Sequence, residues 1–421
     1  MGSARSLACD VGAVVAAIVV VMSPTAGAAP TGWVLFLPPI TAAFEQQSYW
    51  AGQVAVLRVY TRTPTLTLTI GRADSATPQD NLMSGRTVEG PIAVKPDALL
   101  DVHVGNWPSG VYFARLDSAD GRAGFAPFIL RPRRFGTSRV AVVLPTNTWQ
   151  AYNFRDSDHD GVGDTWYASP RIDRVDVTRP FLDNGVPRTY RSYDAGFLEW
   201  FDRVPRAADF FTDADLDRGP SGGQLARMYD LIVFPGHEEY VTEREYDSII
   251  AYRNAGENLL FLSADNFFRR VLREGRWLVR VQRWRDVGRP ESALVGAQYL
   301  NWFQNRFPNR PFVVVGEQRA PWLFAGTGLQ NGSSFGRYGI EVDARTPSSP
   351  PGTEVLATIH DIFGPGESAE MTYYTTPEHA QVFDAGAINF GGTTAFPIPG
   401  RLLDNLWAHL TSPVRLRRSP T

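Results

Sequence analysis

The chain has 421 residues, more than one compact core usually supports, and this length predicts two or three domains. Hydrophobic residues make up 43% of the chain and charged residues 20%, which is the composition of a globular protein and not of a disordered one. The formal net charge of −3 offers no electrostatic attraction for nucleic acid, so we expect no nucleic-acid partner.

The first 28 residues have the pattern of an export signal. Arg5 supplies a positive start, residues 11–22 form an apolar run, and residues 26–28 offer a cleavage site between small residues. Because this run is shorter than the ~20 residues that cross a bilayer, we expect a signal peptide over residues 1–28 and a secreted or cell-envelope protein. The alternatives are an uncleaved signal anchor, the only membrane contact that we expect, and a wrongly chosen start codon. Cleavage would also remove Cys9, the only cysteine.

Residues 33–133 predict an all-β domain. Short runs rich in β-branched and aromatic residues recur at regular spacing, with turn residues between them. The clearest of these runs are residues 54–60, 65–70, 111–116 and 125–130. This pattern is typical of an immunoglobulin-like β-sandwich.

The pattern changes after residue 138 to alternating strands and helices. Three apolar runs predict buried strands, at residues 140–144, 231–234 and 259–262. Thr242 and Glu245 form a capping box that begins a helix after the second strand. Because short loops join these elements, we expect a mainly parallel sheet. The predicted fold class is therefore an α/β domain over residues 138–411, preceded by an immunoglobulin-like sandwich over residues 33–133.

Polar side chains follow the three predicted strands, where binding sites form in open α/β sheets. Tyr152 follows the first strand, His237 and Glu239 follow the second, and Asn266 follows the third. Residues two apart in a tight loop can point to the same side, so His237 and Glu239 can form a metal site or an acid–base pair. The alternative is that both only satisfy the start of the following helix. On the residues alone, Tyr152 and Tyr193 are better explained as ordinary half-buried tyrosines whose hydroxyls find a partner.

An acidic turn follows Tyr152. Its carboxylates stand at alternate positions beside Gly161, and with the carbonyl of Val162 they could wrap a calcium ion. The carboxylates belong to Asp156, Asp158, Asp160 and Asp164. Tyr167 stands where a helix–loop–helix calcium site has a glutamate, so that complete motif is not supported. A shorter calcium loop and a solvated acidic turn both stay open.

Two segments that follow predicted strands resemble the large, catalytic subunit of N,N-dimethylformamidase. They are residues 144–153 and 236–240, and residues 371–374 and 404–407 give supporting similarity. The resemblance runs over residues 138–411. It implies a glutamine-amidotransferase-like domain that holds one ferric ion with two tyrosines and one glutamate.

Carried over motif by motif, the resemblance assigns Tyr152, Tyr193 and Glu239 as iron ligands, with Tyr190 as an alternative to Tyr193. It assigns His237, Glu239 and Asn266 to the catalytic pocket. The implied function is hydrolysis of a non-peptide C–N bond in a small amide, with iron as the Lewis acid. The family enzyme works in the cytoplasm with a small second subunit, whereas this chain is predicted to be exported, so the substrate can differ.

A second function of a different class stays open. The predicted sandwich, the acidic turn and the 11 tryptophans also suit a non-catalytic extracellular protein that binds carbohydrate or another ligand. As partners we expect a small amide or another small molecule. A homo-oligomer is an open alternative to a monomer.

Overall fold

The structure, a computed structural model, describes residues 39–61, 63–76, 82–95, 98–302 and 309–412. The predicted signal peptide, residues 1–28, lies outside these residues. Strands account for 36% of the residues and helices for 20%. Across the described ranges, no helix combines the length and the apolar character that a membrane crossing requires.

The described part of residues 39–134 contains eight strands. They are β1 (Ala42–Phe44), β2 (Ser48–Tyr49), β3 (Val54–Val59), β4 (Leu66–Ala76), β5 (Met83–Val94), β6 (Leu99–His103), β7 (Gly110–Ser118) and β8 (Ala123–Leu130). They form a three-stranded sheet in the order β1-β3-β6 and a five-stranded sheet in the order β2-β8-β7-β4-β5. Both sheets contribute to one apolar core, in which Phe128 packs against Tyr49 and Tyr112. The immunoglobulin-like assignment of this unit stays a prediction, as does the domain division at residues 133–138.

The rest of the described chain mixes strands and helices. Its strands are β9 (Val140–Leu144), β10 (Arg174–Asp176), β11 (Asp209–Thr212), β12 (Leu231–Phe234), β13 (Tyr240–Thr242), β14 (Asn258–Phe261), β15 (Arg269–Glu274), β16 (Trp277–Arg283), β17 (Gln298–Trp302), β18 (Arg310–Val314), β19 (Ser334–Tyr338), β20 (Glu341–Ala344), β21 (Glu354–Ile359), β22 (Ala369–Thr375) and β23 (Gln381–Asp384). Its α-helices are α1 (Thr146–Ala151), α2 (Tyr190–Tyr193), α3 (Ala195–Asp202), α4 (Asp213–Asp217), α5 (Gly222–Met228), α6 (Glu243–Asn254), α7 (Ser292–Val295), α8 (Pro321–Phe324) and α9 (Pro397–Leu410). Two 3₁₀ helices span Trp284–Val287 and Gly391–Thr393.

The prediction of a mainly parallel α/β fold of the glutamine-amidotransferase type is wrong. The molecule is rich in β-structure, and its sheets are mixed or antiparallel. The largest sheet has nine strands in the order β11-β9-β12-β14-β23-β22-β21-β18-β19. Its first four pairings are parallel and its last four are antiparallel. Apolar runs reveal where strands lie but not their direction, so the antiparallel half could not be seen from periodicity.

Both faces of this sheet are buried in its parallel half. Leu231 and Val233 of β12 face one apolar core, and Ile232 and Phe234 face the other. This arrangement explains why the strand is apolar at every position instead of alternating. Helices α3 and α9 cover the first face, and α6 covers the second.

Helix α6 begins where the sequence predicts. The Thr242 hydroxyl accepts a hydrogen bond of 3.2 Å from the Glu245 backbone N–H, and the Glu245 side chain in turn accepts from the Thr242 backbone N–H. This reciprocal pair satisfies two of the N–H groups that a helix start leaves without partners. It also fixes the direction of the chain directly after the loop that joins β12 to β13.

Candidate metal centre

Adjacent strands of the parallel half deliver the candidate site. β9 pairs with β12, and β12 pairs with β14, so their carboxyl ends lie side by side. The segment after β9 carries Tyr152, the loop after β12 carries His237 and Glu239, and the loop after β14 carries Asp265. Glu341 arrives from β20, which pairs with β17 outside the large sheet.

Two tyrosines converge on Glu239. The hydroxyl of Tyr152 donates a hydrogen bond of 2.9 Å to Glu239 Oε2, and the hydroxyl of Tyr167 lies 3.0 Å from the same oxygen. The two rings stack with their centroids 4.4 Å apart. The Tyr167 hydroxyl also lies 2.7 Å from that of Tyr240. The Oε2 atom of Glu239 is thus in hydrogen-bond contact with the hydroxyls of both Tyr152 and Tyr167.

His237 lies among three carboxylates. Its Nε2 atom is 3.6 Å from Glu239 Oε2, 3.6 Å from Asp265 Oδ2 and 3.6 Å from Glu341 Oε2. The imidazole is buried, and Nε2 has no hydrogen-bond partner among the described residues. Burial lowers the pKa of His237 to about 4, so the ring is neutral at pH 7. A neutral, buried nitrogen facing three carboxylates has the donor chemistry of a metal site.

The carboxylates of this cluster resist ionisation. Burial, followed by the charge of Asp265, raises the pKa of Glu239 to about 7. Burial also raises the pKa of Asp265 to about 8, and it raises the pKa of Glu341 well above its usual range. The pKa of Tyr152 is raised in the same way. A bound cation would reverse these shifts, because it stabilises each anionic form.

The other predicted site residues lie at different distances from this centre. Tyr193 meets the edge of His237, with ring centroids 6.2 Å apart, and packs with Ala264 and Ile388. Tyr190 turns away, because its hydroxyl donates to the Ser75 carbonyl of the N-terminal unit. The geometry therefore leaves Tyr193, and not Tyr190, beside the cluster.

Asn266 is buried directly after Asp265 in the loop that follows β14. Its side-chain amide donates to Asp384 Oδ1 at 3.3 Å, and its Oδ1 atom has no partner among the described residues. The preceding Asp265 has a φ of 56° and the following Phe267 a φ of 59°, which is unusual for residues other than glycine. Backbone strain of this kind is often found at functional sites.

Three site residues were missed at the sequence level: Tyr167, Asp265 and Glu341. Asp265 stands directly after a predicted strand, so the rule that selected Asn266 could have found it. Tyr167 was considered only as a departure from a calcium motif. Glu341 lies far along the chain from Glu239, and no pattern in the sequence links the two.

The acidic turn forms a cluster of its own. Asp156, Asp158 and Asp164 each offer an oxygen, and these oxygens lie within 4.8 Å of one another. Asp156, Asp158 and Asp164 also accept hydrogen bonds from backbone N–H groups of the turn, and Asp160 accepts one of 2.7 Å from the backbone N–H of Val162. The turn is largely exposed, and calcium binding stays a prediction.

Comparison with known proteins gives one extended match. A family model described as "N,N-dimethylformamidase beta subunit-like, C-terminal" matches residues 97–399. None of the curated proteins compared with the chain matches it.

Solved structures give only local likeness. A Paenibacillus sp. cycloisomaltooligosaccharide glucanotransferase, complexed with cycloisomaltoheptaose, has 15% identity and a TM-score of 0.16 over 28% of this chain and 18% of its own length. A superoxide reductase (neelaredoxin) from Ignicoccus hospitalis has 19% identity and a TM-score of 0.13 over 22% of this chain and 80% of its own. Likeness this low supports no conclusion about fold or function.

Proposed function

Because the chain belongs to the N,N-dimethylformamidase beta subunit-like, C-terminal family, we propose that it is a metal-dependent hydrolase that cleaves the C–N bond of a small amide. One observation carries the proposal. The Tyr152 hydroxyl lies 2.9 Å from Glu239 Oε2, beside a buried His237 whose Nε2 has no partner among the described residues. Anionic oxygen donors and an imidazole thus meet at the carboxyl ends of adjacent strands, where ligands bind in sheets of this kind.

The proposed metal is ferric iron, with Tyr152, Tyr193 and Glu239 as its ligands. Phenolate and carboxylate are hard anionic donors, and tyrosine ligates iron in some haem proteins. The residues fit a cation, because the buried atoms His237 Nε2 and Glu341 Oε2, which lie 3.6 Å apart beside Glu239, have no hydrogen-bond partner among the described residues. Iron bound there would supply Lewis acidity toward the amide carbonyl.

The side chains around the ligands would manage the proton. The neutral His237 can accept a proton from the attacking water and return it to the departing amine. Asp265 Oδ2 and Glu341 Oε2, each 3.6 Å from Nε2, would stabilise the imidazolium formed in between.

Calcium enters the proposal as a structural ion. The acidic turn ends three residues before Tyr167, whose hydroxyl contacts Glu239. Calcium held by Asp156, Asp158 and Asp164 would stiffen the segment that presents Tyr167. The predicted export would place the reaction outside the cytoplasm.

Metal analysis and absorption spectroscopy test the proposal. The purified protein is expected to contain one iron per chain, to show a tyrosinate-to-iron absorption band and to release amine from small amides. Glu239→Ala should abolish iron binding and hydrolysis together. Tyr190→Phe is the matched control, since this tyrosine is buried but contacts Ser75 instead of the cluster. A protein without iron that binds glycans and hydrolyses no amide would refute the proposal and favour the carbohydrate-binding alternative.

A further inference from the structure

A second group of buried carboxylates lies beside the candidate metal centre. Glu238 is adjacent in sequence to Glu239 but belongs to a different cluster, which it forms with Asp213 and Glu245. We propose that Asp213, Glu238 and Glu245 form a separate binding site for a hard divalent cation such as Ca²⁺ or Mn²⁺. This site does not depend on the proposed hydrolase function.

Two of the three carboxylates are fixed by their neighbours. Asp213 Oδ2 accepts hydrogen bonds from the Thr146 hydroxyl at 2.7 Å and from the Asn147 backbone N–H at 2.6 Å. Glu245 Oε2 accepts from the Thr242 backbone N–H at 3.4 Å as part of the capping box of α6. The second oxygen of each group, Asp213 Oδ1 and Glu245 Oε1, is buried and has no hydrogen-bond partner among the described residues. Each anchored carboxylate therefore keeps one oxygen free to bind an ion.

Glu238 gives the independent indication of a ligand. Its side chain is completely buried, and within the described residues neither Oε1 nor Oε2 accepts a hydrogen bond from an N–H or hydroxyl donor; its polar neighbour is the Asp213 carboxyl, with which it can share a proton. A carboxylate buried in this way is unfavourable unless a cation or a shared proton compensates it. A cation would satisfy both oxygens at once.

The surrounding charges leave room for a cation. Arg273 is close enough for its charge to act on Asp213 and Glu245, but its terminal nitrogen donates to Asn147 Oδ1 and its Nε atom lies 3.9 Å from Asp217 Oδ2. Its single positive charge is therefore shared among the carboxylates of Asp213, Glu245 and Asp217. In the absence of a cation, burial raises the pKa of Asp213, and burial followed by repulsion from Asp213 raises the pKa of Glu238 and Glu245, so the alternative occupant is a proton shared between carboxyl groups.

The size of the cluster suits a hard ion bound by oxygen. One oxygen from each carboxylate lies within 4.8 Å of the others. Ligands on opposite sides of Ca²⁺ are about 4.6–5.2 Å apart, because each lies about 2.3–2.6 Å from the ion. Only small shifts of the side chains would bring the oxygens to ligand distance. The absence of sulfur and nitrogen from the cluster disfavours softer metals.

A cation here would act on the neighbouring centre through the backbone. Glu238 and Glu239 are consecutive residues in the loop between β12 and β13, and each side chain enters a different cluster. Fixing Glu238 would fix the loop that aims Glu239 at Tyr152 and His237. The cation would thus be a structural support of the candidate metal centre.

The test uses the protein as purified, with Mn²⁺ or Ca²⁺ as the probe. Manganese binding is counted by electron paramagnetic resonance, and thermal unfolding is followed with and without Ca²⁺. Glu245→Gln removes one ligand charge from the buried cluster. Asp158→Asn weakens the exposed acidic turn, the competing calcium site. We expect Glu245→Gln to lose one equivalent of Mn²⁺ and at least tenfold in Ca²⁺ affinity, while Asp158→Asn keeps the buried equivalent.

The opposite pattern would overturn the proposal. If Asp158→Asn removes all cation binding and Glu245→Gln removes none, the exposed turn is the site and the buried cluster shares protons. If Glu245→Gln does not fold, crystals of the unchanged protein grown with Mn²⁺ decide the matter. An anomalous peak between Asp213, Glu238 and Glu245 supports the site, and its absence refutes it. The tyrosinate-to-iron band of the unchanged protein tests the proposed hydrolase centre, and its absence would refute that centre without bearing on the buried cation site.

Discussion

The variant Tyr167→Phe tests whether Tyr193 or Tyr167 is the second tyrosine ligand of the proposed iron, beside Tyr152. The second proposed tyrosine ligand is Tyr193. Of Tyr193 and Tyr167, however, the one shown in contact with Glu239 is Tyr167, whose hydroxyl lies 3.0 Å from Oε2. Phenylalanine would keep the stacking on Tyr152, at 4.4 Å between ring centroids, and would remove only the hydroxyl. We expect the variant to bind iron through its three ligands, but more weakly.

The size of the effect follows from the lost hydrogen bond. A hydrogen bond to a charged group contributes about 1.5–3 kcal/mol. At about 1.4 kcal/mol per factor of ten, this corresponds to roughly 10–100-fold in iron affinity. Residues that orient metal ligands typically cost a similar factor when they are replaced. The Tyr240 hydroxyl, 2.7 Å from that of Tyr167, also loses a partner, so the upper part of this range is expected.

The assay is a titration with a competing iron chelator, followed through the tyrosinate-to-iron band. Tyr167→Phe should keep the intensity of the band and lower the chelator concentration that removes iron. Tyr193→Phe should lose about half of the intensity, because one of two phenolate ligands is gone. If Tyr167→Phe halves the band and Tyr193→Phe leaves it unchanged, the ligand assignment is wrong and Tyr167 is the second tyrosine.

Three further predictions concern catalysis, packing and pH. His237→Gln should keep the iron band but lower kcat by about 10²–10⁴-fold, the usual contribution of a general acid–base group; unchanged kcat would exclude His237 from proton transfer. Gly391→Ala should lower the free energy of unfolding by about 3 kcal/mol, because the new Cβ would lie 2.0 Å from the Pro235 carbonyl oxygen. The control is Gly223→Ala, which has open space around its Cβ and should change the free energy of unfolding by less than about 1 kcal/mol. Equal effects in denaturant unfolding would contradict the close packing at Gly391. Burial raises the pKa of Glu257 to about 7, so ionisation destabilises the fold as pH rises from about 4.5 to 7. Glu257→Gln should therefore stabilise the protein at pH 8 but not at pH 4, and a difference in unfolding free energy that is the same at both pH values would refute this assignment.

The parallel half of the large sheet could be predicted, and its antiparallel half could not. Residues 140–144 and 231–234 are apolar throughout, and the structure has β9 and β12 at those positions. Burial on both faces produces such runs, so composition alone locates the strands. The antiparallel half includes β21, which is buried at five consecutive positions much like β9, and β22, in which burial is interrupted. Strand direction depends on which distant segments pair, and the pairing of β22 with β23 leaves no local signal.

The residues of the candidate site also fall into those that could be predicted from the sequence and those that could not. Side chains in the segments after buried strands, such as Tyr152 beyond the short helix α1 and His237 in the loop after β12, could be placed from the sequence, because the carboxyl ends of adjacent parallel strands meet. Glu341 could not, since β20 pairs with β17 in a separate two-stranded ribbon whose position depends on the whole fold. A residue could thus be assigned to the candidate site from the sequence where a regular strand fixes its position.

The loop after β12 shows how far one local rule extends. Residues two apart in a tight loop can face the same side, and His237 Nε2 does lie 3.6 Å from Glu239 Oε2. The same rule turns the intervening Glu238 to the other side, where it meets Asp213 and Glu245. Three consecutive ionisable residues therefore serve two buried clusters that share one short stretch of backbone. Because a shift of this stretch moves both clusters, removing charge from Glu245 should also alter the tyrosinate-to-iron band if the two clusters are coupled. A band unaffected by Glu245→Gln would show that the loop is held by its backbone alone.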